Sequence, residues 1–298
     1  MESLAFFDIQ AGRLQSARTD GEASLRIARE LNNAQLQGRA ENSLGHIEWM
    51  SGHPARGVAH YEAALALARE AGDARLVGSV LGNLGNQAEL GNMEKARSYN
   101  EAALAMARDI GDRRLEGNTL CNLGLMYHVL GDAPQALDHL EASLRVARDI
   151  GYQLLECIVL CNLGIVHHSL DHRDDAREHF EAALVLARDS ADRRSEGQIL
   201  GYLALLHAQR GRFQDARHCL DKGETLLREV ADRLSLGILL CNFAESELLA
   251  GSIEAARTKF AEAEAIAADL SAGAGSELGI ALARVGRLID KASGDKVN

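Results

Sequence analysis

The chain has 298 residues, of which 47% are hydrophobic, 25% are charged and only 4% are aromatic, and its formal net charge is -11. This charge repels a phosphate backbone, and no basic run offsets it, so we expect no binding to nucleic acid. The N-terminus lacks the basic start and apolar run of a secretion signal, and no stretch of about 18 apolar residues follows, so we expect no membrane association and a cytoplasmic location.

A three-residue phrase recurs along the chain at steps of 40, 39, 40, 40 and 40 residues. Its copies are Ser43-Leu44-Gly45, Asn83-Leu84-Gly85, Asn122-Leu123-Gly124, Asn162-Leu163-Gly164, Tyr202-Leu203-Ala204 and Asn242-Phe243-Ala244. A period of this length indicates one supersecondary unit that is stacked many times. Alanine and leucine dominate the hydrophobic residues, which favours close packing of helices over a sheet core.

The pattern predicts about seven helix pairs followed by one further helix. The first pair opens with a short helix over Met1–Ala11, which exposes Phe6 and Phe7. The last helix, around Ser276–Ile289, is expected to cap the stack with a polar face. We therefore predict an all-α solenoid that forms a single domain over residues 1–291, followed by a flexible tail over 292–298.

The third repeat, residues 111–150, shows how one unit is built. Gly111 can adopt the left-handed conformation that ends a helix, and the Asp112 carboxylate can cap the helix that follows. Leucines recur at helical spacing in this first helix, and Gly131 ends it. A second helix begins near Pro134, because the fixed φ of proline suits a first helical turn.

Every second helix carries small residues at two fixed positions. Five residues after the mid-repeat glycine stand Ala17, Gly57, Ala96, Ala136, Ala176, Ala216 and Ala256, and twelve residues after it stand Ser24, Ala64, Ala103, Ser143, Ala183, Gly223 and Ala263. They face the Leu-Gly or Leu-Ala of the first helix. We therefore expect the two helices of a pair to cross closely, and a large residue at the joint to overpack it.

Two repeats depart from the pattern. The second repeat lacks one residue before its mid-repeat Gly91. A deletion turns the residues after it by about 100° around an α-helix, so residues 86–90 receive no predicted face. In the fourth repeat Asp171 replaces the glycine, which predicts a strained turn before His172.

These features resemble the tetratricopeptide repeat in a lengthened form of about 40 residues. The resemblance rests on Leu-Gly in the first helix, Tyr or His four residues after that Leu, a Gly-Asp turn, and then Ala with an aromatic residue or Leu in the second helix. It covers essentially the whole chain and is similar to the repeats of kinesin light chains, spindle-orientation adaptors and arrays attached to bacterial signalling ATPases. The family implies a right-handed superhelix whose first helices line a concave groove that binds peptides or partner domains.

If the resemblance holds, the groove-lining residues follow from register. Besides the asparagines of the repeated phrase they include Arg39, Trp49, Leu125, His128, Ile158, Ile165, His168, Gln198, Leu205, Ile238 and Glu245. Few of them are charged, and an exposed apolar groove in an otherwise highly charged protein suggests that a partner covers it. The alternative is a superhelix wound tightly enough to bury some of them.

Four asparagines, Asn83, Asn122, Asn162 and Asn242, form a row at one repeat position. Asparagine is a poor mid-helix residue, and its amide both donates and accepts hydrogen bonds. In similar arrays this row contacts the main chain of a bound peptide, and the resemblance carries that role onto these four positions. The alternative is a hydrogen bond between helices that fixes the stacking of the repeats.

Four histidines, His128, His167, His168 and His207, fall on three neighbouring first helices, and imidazole is a common metal ligand. His167 and His207 occupy the packing position of Tyr127, however, and no His-Glu-x-x-His or Cys-x-x-Cys spacing accompanies them, so we predict no metal site and no cofactor. The five cysteines are expected to be reduced, because those at one repeat position lie about 8–10 Å apart, too far for a disulfide.

An arginine followed by an acidic residue stands near the end of six second helices, where a cation complements the helix dipole. These arginines are Arg29, Arg69, Arg108, Arg148, Arg188 and Arg228. A solvated ladder is the simpler interpretation, and a docking strip on the outer face is the alternative. No nucleophile-base pair, paired acid or phosphate-binding glycine loop occurs at a usable spacing, so we predict that the protein is not an enzyme.

The leading hypothesis is a scaffold or adaptor that binds an extended or helical segment of a partner protein in the concave groove. The alternative is a ligand- or peptide-sensing regulatory module cut from a larger signalling ATPase, cyclase or transcription regulator, since the chain begins as though preceding structure were missing. A third hypothesis is self-association through Phe6, Phe7 or the terminal helix.

Overall fold

The computed structural model describes residues 14–51, 53–86, 93–270, 272–273 and 276–294, and every regular element within these ranges is an α-helix. The helices are α1 Leu14–Glu30, α2 Ala34–Met50, α3 Pro54–Glu70, α4 Ala74–Gly85, α5 Met93–Asp109, α6 Arg113–Val129, α7 Ala133–Asp149, α8 Gln153–Ser169, α9 Arg173–Asp189, α10 Arg193–Gln209, α11 Phe213–Glu229, α12 Arg233–Leu249, α13 Ile253–Asp269 and α14 Glu277–Gly294. The predicted all-α class is confirmed. None of these helices has the length and apolar character needed to cross a membrane. The predicted helix over Met1–Ala11 lies outside the described residues.

The helix boundaries follow from capping residues at the repeat joints. The Asp112 carboxylate accepts a hydrogen bond from the Leu115 backbone N–H at 3.0 Å, as predicted. Asp73, Asp192 and Asp232 cap α4, α10 and α12 in the same way. Each cap satisfies a backbone N–H group in the first turn of a helix, which has no partner within the helix itself.

Most turns contain one residue with a positive φ. Glycine fills this position at Gly72, Gly111, Gly131, Gly151, Gly211 and Gly251, whereas Asn32, Asp171, Ala191 and Ala231 hold it without being glycine. The strained turn predicted at Asp171 is confirmed by its φ of 60°. Ala191 and Ala231 show that the turn geometry is imposed by the packed helices on either side, because alanine disfavours this conformation.

Contacts between residues divide the chain into two compact units, and the boundary along the sequence falls within α8: unit 1 ends at Val159 and unit 2 begins at Leu160. In unit 1, α2 packs on α3, α4 on α5 and α6 on α7, and each of these first helices also contacts the second helix before it. Unit 2 repeats this arrangement with α10 on α11 and α12 on α13, and α14 packs against both α12 and α13. The single domain and the right-handed superhelix remain predictions.

The small residues predicted at the joints are packed as expected. Ala136 and Ser143 of α7 are fully buried, as are their counterparts Ala176 and Ala183 in α9. A Cβ atom on Gly124 would lie 2.6 Å from Leu140 Cγ, well inside van der Waals contact. The close crossing of the two helices in a pair is therefore confirmed, and glycine at this joint is a steric requirement.

The ends of the array differ in detail from the prediction. Helix α4 ends at Gly85 and has only 12 residues, in keeping with the missing residue, and Asn86 is its C-cap. Residues 87–90 lie outside the described part. Helix α14 extends to Gly294, so it includes the first three residues of the predicted tail. Its expected polar outer face is interrupted by exposed Ile280 and Leu288.

Two glycine-to-alanine substitutions in unit 1 should change the free energy of unfolding in opposite directions. Gly124→Ala should lower it by about 1–3 kcal/mol, because the new Cβ would clash with Leu140 and lie 3.1 Å from the Ala136 carbonyl oxygen. Gly82→Ala should raise it by up to about 1 kcal/mol, because the nearest atom would be 3.9 Å away and alanine favours the helix. Urea unfolding followed by circular dichroism measures both, and equal effects of the two substitutions would contradict the packing described.

Relief of backbone strain should also be measurable in unit 2. Ala191→Gly and Ala231→Gly should each raise the free energy of unfolding by about 1 kcal/mol, because these residues have φ values of 54° and 53°. The matched control is Ala182→Gly on the exposed face of α9, which should lower it by about 1 kcal/mol. A loss of stability in the two turn variants would show that their conformation is not strained.

Candidate functional site

The candidate site in unit 1 is the surface formed by one face of its first helices. Relative to Asn122 in α6, the positions −4, +3, +6 and +7 share one side of a helix, and the equivalent residues of α2, α4 and α8 follow by register. We call this the unit 1 surface, and its residues at these positions are Arg39, Trp49, Asn83, Asn122, Leu125, His128, Val129 and Ile158. We add Asn42, which lies one residue before the register position and bonds Asn83.

Apolar side chains are uncovered on the unit 1 surface. Val129 is 70% exposed and Ile158 is 40% exposed, and Trp49 and Leu125 are half-buried. Burial of the His128 imidazole lowers its pKa below the ordinary value, so this side chain is neutral near pH 7. The unit 1 surface is therefore accessible. Among its named residues only Arg39 carries a charge near pH 7.

Arginines stand near the N-terminal ends of the first helices, where each is paired across a repeat joint. Arg39 lies 3.4 Å from the Asp73 carboxylate, and Arg75 lies 2.6 Å from that of Asp112. The hydrogen bond from Gln35, with that from the Leu76 backbone and the nearby Arg39, keeps the pKa of Asp73 below its ordinary value. Each of these carboxylates also caps a helix, so the ion pair and the cap fix the same joint.

The two asparagines of unit 1 pack between repeats. Asn83 Nδ2 donates a hydrogen bond to Asn42 Oδ1 at 2.9 Å. Asn122 Nδ2 lies 4.0 Å from where a Cβ on Gly82 would stand, so this amide rests on the neighbouring first helix in a similar way. Both side chains are half-buried. The hydrogen bond between helices that was the alternative interpretation is present at Asn83, and it uses only one group of that amide.

The asparagines of unit 2 are covered. Asn162 is 9% exposed and Asn242 is 3% exposed. Arg284 of α14 donates a hydrogen bond to Asn242 Oδ1 at 3.1 Å and forms an ion pair with Glu245 at 3.2 Å. The expectation that all four asparagines line an open groove is therefore wrong for these two, since both are buried. Asn242 is covered because the C-terminal helix packs over α12.

Leu205 is a second correction. It was expected to line the groove, but it is 2% exposed and belongs to the packed interior of unit 2. Helix α10 packs closely against α12, and a Cβ on Gly201 would be 3.5 Å from Leu239. Ile165 and Ile238 remain half-buried. Leu205 is therefore buried by close helix packing, which was the alternative given for the groove residues.

Side-chain hydrogen bonds connect His168, Gln198 and Tyr202 of unit 2 to residues of neighbouring helices. His168 bonds Gln209 across the α8–α10 joint, with 3.1 Å between His168 Nε2 and Gln209 Nε2. Gln198 Nε2 donates to Ser235 Oγ at 2.5 Å across the α10–α12 joint. Tyr202 donates from its hydroxyl to Glu277 at 3.3 Å, which bridges α10 and α14. These side chains satisfy each other, so the surface of unit 2 is more closed than the unit 1 surface.

The titratable groups of this network have shifted pKa values. Burial lowers the pKa of His168, and the hydrogen bond with Gln209 opposes this effect. Burial raises the pKa of Tyr202, and the carboxylate of Glu277 raises it further. Burial also raises the pKa of Glu277 above its ordinary value. Each shift favours the neutral form of its group, as expected where solvent is excluded.

The arginine ladder and the cysteines are structural features. Arg108, Arg148 and Arg188 form ion pairs with Glu116, Glu156 and Glu196 of the next first helix at 3.1, 2.8 and 2.9 Å. Their guanidinium groups remain partly solvated, as predicted, but they also connect consecutive repeats. None of the five cysteines, all of which lie in the described ranges, forms a disulfide, as expected, and burial raises the pKa of Cys241 to about 12.

The histidines group differently from the sequence-based expectation. His168 is bonded to Gln209, whereas His167 lies beside His172 and Asp175 at the turn that follows α8. The spacing of His167, His172 and Asp175 in the sequence indicates this cluster, but a comparison of equivalent first-helix positions does not include it. His172 and Asp175 belong to a turn and a second helix.

A tetratricopeptide repeat profile matches residues 76–149 and 115–189. Residues 76–189 are therefore tetratricopeptide repeats, as the resemblance in sequence predicted. None of the curated proteins compared with the chain matches it.

Solved structures share the fold at low sequence identity. A Rap protein complexed with competence and sporulation factor is 16% identical, with a TM-score of 0.66 over 98% of this chain and 83% of that one. A signal transduction ATPase with a tetratricopeptide repeat sensor, from Pyrococcus horikoshii, is 17% identical, with a TM-score of 0.63 over 99% of this chain and 47% of that one. NprR in complex with its cognate peptide NprX is 16% identical, with a TM-score of 0.59 over 80% and 72%. At these identities the likeness establishes the solenoid fold.

Acidification should destabilise unit 2 through His168. Its pKa is lowered in the folded state, so the unfolded chain binds more protons between the folded value and about 6.5. The stability from keeping it neutral is present above about pH 6.5 and is lost as the pH falls through the folded pKa. His168→Gln keeps a partner for Gln209 but does not titrate, so the melting temperature should fall less between about pH 7.5 and 5.5.

The matched control is His218→Gln, which removes an exposed histidine of α11. Circular dichroism gives the melting temperatures of both variants and of the unmodified chain at both pH values. The fall in melting temperature should be smaller only in His168→Gln. An identical fall in His168→Gln and the unmodified chain would remove His168 from the acid sensitivity.

Proposed function

We propose that the chain is a non-catalytic protein-interaction scaffold that binds an extended or helical peptide segment along the unit 1 surface. The observation that carries this proposal is the exposure of apolar side chains at register positions of consecutive first helices, with Val129 and Ile158 the most exposed. A contiguous exposed apolar surface is a usual mark of a binding site. The tetratricopeptide fold of residues 76–189 supports it, since this fold generally serves protein interaction.

The chemistry of the surface favours a partner segment with apolar side chains. Arg39 and Arg75 are already paired with Asp73 and Asp112, so an acidic peptide would have to compete with these carboxylates. On α6 the surface offers the half-buried Leu125 and the neutral imidazole of His128. Most of the binding energy should therefore come from burying apolar area, with few charge pairs.

Asn83 and Asn122 supply the polar part of the proposed interaction. Their half-buried amides have a donor and an acceptor each, which match the N–H and C=O groups of a peptide main chain irrespective of its sequence. The hydrogen bond from Asn83 to Asn42 orients one amide in advance. The proposed peptide-binding role is thus kept for the two asparagines of unit 1, while Asn162 and Asn242 serve packing.

A second candidate function is a sensor module of a larger signalling protein. It is supported by the structural match that covers 99% of this chain and 47% of the signal transduction ATPase with a tetratricopeptide repeat sensor. The full coding sequence of the gene distinguishes the two candidates, because a sensor requires an ATPase, cyclase or DNA-binding domain in the same protein.

Selection of a random peptide display library on the intact chain tests the proposed surface. We expect enriched peptides with apolar side chains, and Val129→Asp should weaken their binding by about 30-fold or more, the loss typical of a central interface residue. The matched control is Val185→Asp, which places the same charge on an exposed valine of the second helix α9. Fluorescence polarisation gives the dissociation constants.

Two results would contradict the proposal. Either no peptide is enriched above the level of a blank selection, or Val185→Asp weakens binding as much as Val129→Asp does. Asn83→Ala combined with Asn122→Ala should weaken the same peptides while circular dichroism still shows a folded chain. A collapse of the fold in this double variant would assign both asparagines to packing.

A further inference from the structure

We propose that the turn between α8 and α9 binds a zinc-class divalent metal ion through His167, His172 and Asp175. Each of these residues offers one ligand atom, and the three atoms lie within 4.8 Å of one another. His167 Nδ1 is 3.8 Å from Asp175 Oδ2. Two imidazoles and a carboxylate form a donor set that Zn²⁺ commonly takes in proteins.

Local chain geometry brings the three side chains together. His167 lies in the last turn of α8, and its carbonyl oxygen accepts a hydrogen bond from the His172 backbone N–H at 2.9 Å. Asp171, with its positive φ, turns the chain so that His172 becomes the N-cap residue of α9. Asp175 follows in the first turn of the same helix. The set is therefore built from a nine-residue segment.

Only small side-chain movements separate this arrangement from metal coordination. Zinc lies about 2.0–2.2 Å from its nitrogen and oxygen ligands, so tetrahedral donors stand about 3.4 Å apart. The donors must therefore approach by about 1 Å, and the side chains of His172 and Asp175 are exposed and can rotate. The His167 ring is held in place by stacking on His179, with ring centroids 5.1 Å apart.

The preceding repeat shows which part of the cluster is ordinary packing. Tyr127 and His139 occupy the positions of His167 and His179, and their rings also stack, at 5.2 Å. Asp132 in that repeat accepts a hydrogen bond from the Gln135 backbone N–H as an N-cap. His172 stands at the same position but forms no such bond with its side chain. The ring stack thus belongs to the fold, whereas His172 and Asp175 add ligands that packing does not require.

A bound ion would connect the end of α8 to the start of α9. Three protein ligands leave a coordination position for water or for a side chain from a partner, because His172 and Asp175 face solvent. The expected effect in the chain alone is a rise in melting temperature when the metal is present, since the ion binds the folded turn in preference to the unfolded chain.

Competition between the reduced chain and a chromophoric chelator for Zn²⁺ tests this proposal. We expect one equivalent to bind, and His172→Gln and Asp175→Asn each to weaken the affinity at least tenfold, since losing even an outer-shell partner costs about 10–100-fold. His167→Tyr removes a ligand nitrogen but keeps an aromatic ring, as Tyr127 does in the preceding repeat, and should have the same effect. His218→Gln, an exposed histidine outside the cluster, should leave the affinity unchanged.

Cobalt distinguishes this site from the cysteines. The Co²⁺ form should show d–d absorption without a thiolate-to-cobalt charge-transfer band if the three proposed ligands hold the ion. Absence of binding, a thiolate band, or an affinity that Asp175→Asn and His172→Gln leave unchanged would each overturn the proposal. Circular dichroism of every variant confirms that the helices remain intact.

Discussion

The structure depends on the close approach of two helices at positions where there is no room for a Cβ atom. Gly45, Gly124 and Gly164 face Tyr61, Leu140 and Phe180, and a Cβ atom on any of these glycines would lie 2.6–2.7 Å from the facing side chain. One large residue from the second helix therefore fills the space that the first helix leaves open. Because these helix pairs are closed by the same contact, the same local packing recurs from one pair to the next within each unit.

The same regularity explains why the fold could be predicted from the sequence. Small residues, capping aspartates and turn glycines recur at fixed positions, and each has a local physical reason that a single repeat contains. Asp112 caps its helix and Asp171 adopts a positive φ, as expected. Alanine at the turn position in Ala191 and Ala231 gave no such local signal, since its conformation is imposed by the packing of the helices around it.

The candidate site could be predicted only in part, because accessibility depends on the neighbouring repeats. Leu125 and Leu205 occupy the same repeat position, yet Leu125 is half-buried and Leu205 is inaccessible. Asn242 looks equivalent to Asn122 in sequence, but Arg284 of the terminal helix covers it. Register assigns a face to a residue, whereas the residues opposite that face decide whether a partner can reach it.

Departures from the repeat consensus are therefore where individual functions are to be sought. A consensus position is constrained by packing on both sides, and a change there is costly. The joint between α8 and α9 keeps the ring stack of the preceding repeat through His167 and His179. Its turn has Asp171 where the preceding repeat has Gly131, and His172 where that repeat has the capping Asp132. The fold tolerates these exchanges because the turn lies at the surface and its backbone is set by the flanking helices. Ligand-binding side chains can thus be placed at a turn of a solenoid without disturbing the helix pairs that make it stable.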